Sequence, residues 1–289
     1  MLKKLTAQGP KKRKSYTVTL PIEWIKQKKL DSTKAVELNI VGNKVIISPS
    51  KESQERVSIR GDEYSKSFKK ILPALYRIGV NEIVVPVEEP QLLSEISSII
   101  YERLIGYEIV EQRKDRIVIK DITKESEEEF DVLLRRIFLL IFELSSSTND
   151  SERDVLRKNI NRLSNYCLRV LMKKGHSDFN RTPLYYLVID QLEKISDEFD
   201  WLLKGSKLSA KRSEQLKEVV KIFRAAYELF YKFEPGKYDD AQERAYLLKN
   251  EIKVDQSIDL AGMHIHNLAR LLNSLYGNLF ALCFERTSE

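Results

Sequence analysis

From residue 124 onward the apolar residues recur only at helical spacing, which limits more than half of the chain to helix packed on helix. The breaks in that pattern are "SSSTNDS" (145–151), "GHSDFNRTP" (175–183), "GSK" (205–207), "EPGK" (234–237) and a stretch near 250–255, so the region divides into about six helices. Short breaks between long helices make neighbours antiparallel. Thr182 and Pro183 stand where a helix cap and first-turn residue belong. The longest apolar run, "IFLLIFEL" at 137–144, carries Glu143 and follows Arg135 and Arg136. It reads as a core helix, well short of the ~18–20 apolar residues that a bilayer span needs.

Two other regimes precede the helices. In 15–49, Tyr16, Val18 and Leu20 alternate with Thr17 and Thr19, Pro21 suits the first turn of a helix carrying Trp24 and Ile25, and "AVELNI" and "KVIIS" flank a two-residue Gly42-Asn43 turn. This is β-α-β-β. A module near 40 residues without cysteines cannot bury a sufficient core alone, which makes dimerisation the available remedy. In 55–122 strands and helices alternate: "RVSIR", a helix over 62–78, "NEIVVPV", a helix over 90–105, then "YEIVEQ" and "RIVIKDI", with Gly79 and Gly106 at helix ends. That segment holds no Gly-rich phosphate loop, nucleophile elbow or histidine. The expected organisation is a multidomain α+β chain with a small β domain at 1–50, an α+β domain at 51–123 and a helical domain at 124–289.

Charge is distributed unevenly. Residues 1–34 hold ten Lys or Arg against Glu23 and Asp31, a net of +8, so the remaining 255 residues net −2 within the chain's total of +6. Such asymmetry points to a polyanion as partner of the first module. Lys11, Lys12, Arg13 and Lys14 are the phosphate and groove candidates, Ser15 and Thr17 the hydroxyls placed to touch bases, and Lys26, Lys28 and Lys29 extend the field. The same cations also suit a solvated tail. Cys167 and Cys283 sit in apolar helical patterns and read as buried thiols of a reducing cytoplasm. No apolar segment follows the first cations as a secretory signal would require.

The stretch "SYTVTLPIEWIKQKKL…KAVELNIVGNKVIISP" resembles the AbrB/SpoVT class of swapped-hairpin DNA-binding domains in its arm, its Leu-Pro-x-x-Trp helix start and its closing "IISP". It departs at Thr33-Lys34, where that class has Gly-Asp. The remainder resembles the archaeal phosphate-uptake regulators that fuse this domain to a PhoU domain: "GYEIVEQ" precedes the helices, and "QLEKISDEF" (191–199) stands for the family's Leu-Glu-Arg-Ile-x-Asp helix. The resemblance implies a six-helix bundle of two three-helix repeats, and "LEKISDEFDWLL" (192–203) does align with "LARLLNSLYGNL" (268–279). Glu193 and Asp197 become Ala269 and Asn273 in the second copy. In "NINRL" (159–163), Asn161 replaces an acid while Arg162 remains.

Asp190, Glu193, Asp197 and Asp200 line one stripe of a helix whose opposite face is Val188, Leu192, Ile195, Phe199 and Leu202. The resemblance implies metal on such helices, divalent or of the iron/zinc type, with Glu193, Asp197 and Asp190 as ligand candidates and Asn273 as a neutral oxygen. The bare pattern equally describes a solvated face. His264 and His266, two apart on a helix, do not share a face and suit packing or surface roles. No nucleophile-base arrangement is present, so catalysis is not expected. By resemblance the chain is a cytoplasmic, dimeric DNA-binding transcriptional regulator linked to phosphate homeostasis. The alternative is an adaptor that regulates a phosphate transporter or signalling partner through the helices and uses the first module only to dimerise.

Overall fold

The computed structural model describes residues 2–10, 14–41, 44–49, 56–64, 67–86, 90–123, 128–205, 208–252 and 259–284. Lys11, Lys12, Arg13 and the Gly42-Asn43 turn lie outside the described residues. The chain is mixed α+β, mostly helical, and divides into two compact units, Met1–Gln54 and Glu55–Glu289.

In the first unit β1 (Thr6–Gln8) pairs antiparallel with β2 (Ser15–Thr17), Thr6 opposite Thr17 and Gln8 opposite Ser15. The strand β1 falls where the sequence read only an arm. Pro21 is extended and is the N-cap of α1 (Ile22–Gln27), one position earlier than its first-turn expectation. The short α2 (Leu30–Thr33) is bracketed by Lys29 and Lys34, both left-handed at φ 53° and 50°, a region uncommon for residues other than glycine. Then β3 (Val36–Val41) and β4 (Lys44–Pro49) form a second hairpin in full register. Directly opposed residues share a face. Val36, Leu38, Ile40, Val45, Ile47 and Pro49 therefore make one side wholly apolar, yet Leu38, Ile40 and Val45 are 60, 80 and 62% exposed. Among the described residues Leu30 is the one buried hydrophobic of this unit.

The second unit begins with a sheet in the order β5 (Arg56–Ser58), β6 (Glu82–Pro86), β8 (Arg116–Asp121), β7 (Tyr107–Gln112), with β5 parallel to β6 and the other pairs antiparallel. Where one helix over 62–78 was expected, α3 (Gly61–Tyr64) and α4 (Phe68–Arg77) are found. Ile83 and Val85 of β6 lie opposite Ile119 and Ile117 of β8, and that face is covered by Phe68, Leu72 and Tyr76 of α4 and by Ile96 and Ile99 of α5 (Pro90–Arg103). Gly106 is obligatory at the α5–β7 turn. Its φ is +85°, and a Cβ there would meet the Thr123 hydroxyl at 2.3 Å.

Helices α6 (Glu128–Ser146), α7 (Asp150–Lys174), α8 (Thr182–Gly205), α9 (Ala210–Tyr231), α10 (Pro235–Glu251) and α11 (Leu260–Cys283) follow. Asn149, Ser209 and Asp259 cap α7, α9 and α11 by accepting first-turn amides. Thr182 instead falls inside α8, and its hydroxyl accepts the amide of His176. Each of α6, α7 and α8 packs on the other two, and α9, α10 and α11 do likewise. The sets meet chiefly along α8 and α11, with α6 against α9. One continuous core results, including Phe138, Leu192, Phe199, Phe223, Leu272 and Tyr276. Helices α4 and α5 also pack on α7, which joins sheet and bundle.

Candidate functional site

Two candidate surfaces come from the sequence. On the first unit, Lys14, Lys26, Lys28 and Lys29 are exposed, as are Ser15 and Thr17. The hydroxyls already have work across the β1–β2 hairpin: Ser15 Oγ donates to Gln8 O at 3.4 Å and Thr17 Oγ1 to Thr6 O at 3.2 Å. Each can still accept, and each is exposed enough to exchange a carbonyl for another partner. Of the four-cation arm, Lys14 alone falls within the described residues.

The second candidate is the acidic stripe of α8. Its opposite face is core, with Val188, Leu192, Ile195, Phe199 and Leu202 fully buried. Three of the acids already have cationic partners. Asp190 pairs with Lys194 one turn on. Asp197 Oδ1 and Asp200 Oδ2 lie 3.5 and 3.3 Å from Arg157 of α7, and Asp200 Oδ2 is also 3.1 Å from Lys204 Nζ. Asp200 is 2% exposed, so it is no solvated residue. Burial pushes the carboxyls of Glu193 and Asp197 above the usual range, against the pull of Arg77 on the first and Arg157 on the second. Asn273 faces another helix: its Oδ1 accepts from Gln242 of α10 at 3.4 Å.

A hard-metal centre requires several oxygen ligands converging on one point. Among the described residues no group of three or more His, Cys, Asp or Glu side chains does so. Arg157 and Lys204 already bring positive charge to the two C-terminal acids of the stripe, and Asn273 is directed to α10. These residues do not fit a multinuclear metal centre. Buried Asn161 Oδ1 and Ser164 Oγ of α7, and Asp197 Oδ1 and Asp200 Oδ1 of α8, have no hydrogen-bond partner among the described residues.

The histidines take packing roles. His264 is buried with Nδ1 2.8 Å from Glu198 Oε2, bridging α8 and α11, while His266 Nδ1 lies 3.1 Å from Lys249 O. Burial pushes the Cys167 thiol up to about 12, and both cysteines are buried, with Cys283 Sγ donating to Leu229 O at 3.8 Å.

What sequence reasoning missed is Arg169. Its guanidinium is 1% exposed and donates to Asp121, to Asn81 Oδ1 and to the carbonyl of Tyr76. It also lies 4.8 and 5.3 Å from the ring centroids of Tyr76 and Tyr107. Its one signal was a cation among apolar neighbours in "YCLRVL". No family model matches the chain, and neither a curated protein nor a solved structure matches it. Among the described residues no helix is long and apolar enough to cross a membrane.

Proposed function

We propose that the chain is a homodimeric DNA-binding transcriptional regulator of the archaeal phosphate-uptake type, with an AbrB/SpoVT-like first unit and a PhoU-like helical region. The observation that carries the reading is the hairpin β3–β4. Its apolar face is left exposed in a unit that buries Leu30 alone among its described hydrophobics, and residues 1–34 of the same unit hold a net charge of +8. An uncovered apolar face asks for a second copy, and a two-fold pair would set two basic arms side by side, as a duplex with two phosphate tracks requires. The PhoU-like reading is supported by the packing of α6–α8 and α9–α11 as two sets, with helices of matching sequence, α8 and α11, against each other. The acids lost at Ala269 and Asn273, and Arg157 beside Asp197, point to a bundle that acts without the family's metal.

Retention on immobilised duplex tests the reading. The parent is expected to be retained and the chain lacking residues 1–14 to elute early. Equal behaviour of the two would favour the adaptor, in which the helices engage a phosphate transporter or signalling protein.

A further inference from the structure

Between α6 and α7, beneath Ile105 of the α5–β7 turn, lies a cleft of about 230 Å3 lined by Ile105, Arg136, Leu140, Asn159, Arg162 and Leu163. The positions are set by helical spacing. Arg136 and Leu140 are one turn apart on α6, and Asn159 and Arg162 are one turn apart on α7. Arg162 Nε is buried without a hydrogen-bond partner, and among the described residues no hydrogen bond or ion pair engages the rest of its guanidinium. A buried N–H needs an acceptor, and Arg162 is partly exposed, so solvent or a ligand entering the cleft can supply one. Arg136 gives Nη1 to Glu143 Oε1 at 2.9 Å and retains its other donors. Both charged groups lining the cleft are positive, and the remaining polar one, the Asn159 amide, can donate as well. Three apolar side chains complete the lining, and Arg136 is 48% exposed, so the cleft is open to solvent.

We propose that this cleft binds a small tetrahedral oxyanion of the phosphate class. The guanidinium fork matches two oxygens of a tetrahedral anion with paired, charge-assisted hydrogen bonds. Two such forks on different helices line the same cleft together with the Asn159 amide. The volume lies below the ~300–1,000 Å3 of sites for drug-sized ligands, which suits a single inorganic ion. The site deepens the phosphate-linked reading and draws its biological sense from it, but binding itself is independent of DNA.

The test is calorimetric titration of the full-length chain, without DNA, with inorganic phosphate in chloride buffer. Saturable binding is expected, with sulfate competing and added chloride not. Arg162→Gln should weaken binding about tenfold or more, the scale of a lost charge-assisted pair, and Arg136→Gln should weaken it as well, with thermal melts showing both variants folded. If Arg162→Gln does not fold, Arg136→Gln decides alone. No saturable binding up to about 10 mM, which would reveal a millimolar Kd, overturns the proposal, as does parental affinity in the folded variants. A chain that binds duplex but no phosphate removes this site and leaves the regulator reading; one that binds phosphate through Arg162 but no duplex does the reverse.

Discussion

Arg169 of α7 and Asp121 at the end of β8 form a buried ion pair, with Nη2 2.6 Å from Oδ2 and the two side chains 1 and 4% exposed. Because the same guanidinium donates to Tyr76 O and Asn81 Oδ1, one side chain fixes α4, the loop before β6 and the end of the interior strand β8 to the bundle. Arg169→Ala should cost roughly 3–5 kcal/mol, the usual penalty for leaving a buried charge alone, read as a lower urea midpoint. A loss under about 1 kcal/mol would mean the pair behaves as a surface one.

Acid and alkali should act in opposite senses on different carboxyls. Burial alone would raise Asp121, but the Thr123 hydroxyl and amide, with Arg169, hold it below the usual range. Its stabilisation is therefore present above the unfolded value, ~3.9, and is lost as pH falls through the folded one. Glu193 is raised by burial. Its unfolded form releases the proton first, so stability falls as pH rises from about 4 through the folded value. Glu193→Gln should raise the melting temperature at neutral pH by about 2–4 °C, the scale of 1 kcal/mol at this size, and leave it unchanged below about pH 4. A neutral-pH destabilisation would contradict this.

Much of the helical region was legible because its information is local. The breaks at 145–151 and 234–237 match the Asn149 cap and the Pro235 start of α10, each an effect confined to one turn. The acidic stripe was legible too, but its environment was not. Arg157 reaches Asp200 from 43 positions away, and Arg169 reaches Asp121 and Asn81 from 48 and 88. No periodicity encodes such pairings. Strand β1 was missed for another reason: Thr6-Ala7-Gln8 has no apolar alternation, and its partner β2 defines it.

Divalent metal should be substoichiometric in protein purified without chelator, because Arg157 and Lys204 already neutralise Asp197 and Asp200. Arg157→Ala should destabilise by roughly 1–3 kcal/mol, and added magnesium or manganese should then raise its melting temperature more than the parent's. Elemental analysis that finds two multinuclear iron or zinc centres would refute this.

Residues 1–50 should hold the dimer together through the apolar face of β3–β4. Light scattering should give a dimer for the full chain and a monomer after their deletion. An unchanged dimer would move the interface into the second unit.

The arm offers the most direct test of the central claim. If Lys11, Lys12, Arg13 and Lys14 of two protomers contact phosphates, about six to eight counterions are released and the log–log dependence of duplex affinity on salt has a slope near −5 to −7, at ~0.9 per phosphate. Replacing Ser15 and Thr17 should shift preference among sequences more than overall affinity, since hydroxyls touch base edges. Replacing the four cations by alanine should weaken binding to every duplex and flatten the slope with far-ultraviolet circular dichroism unchanged. The same affinity and slope in parent and variant would contradict the account and leave the four cations without a role in DNA binding.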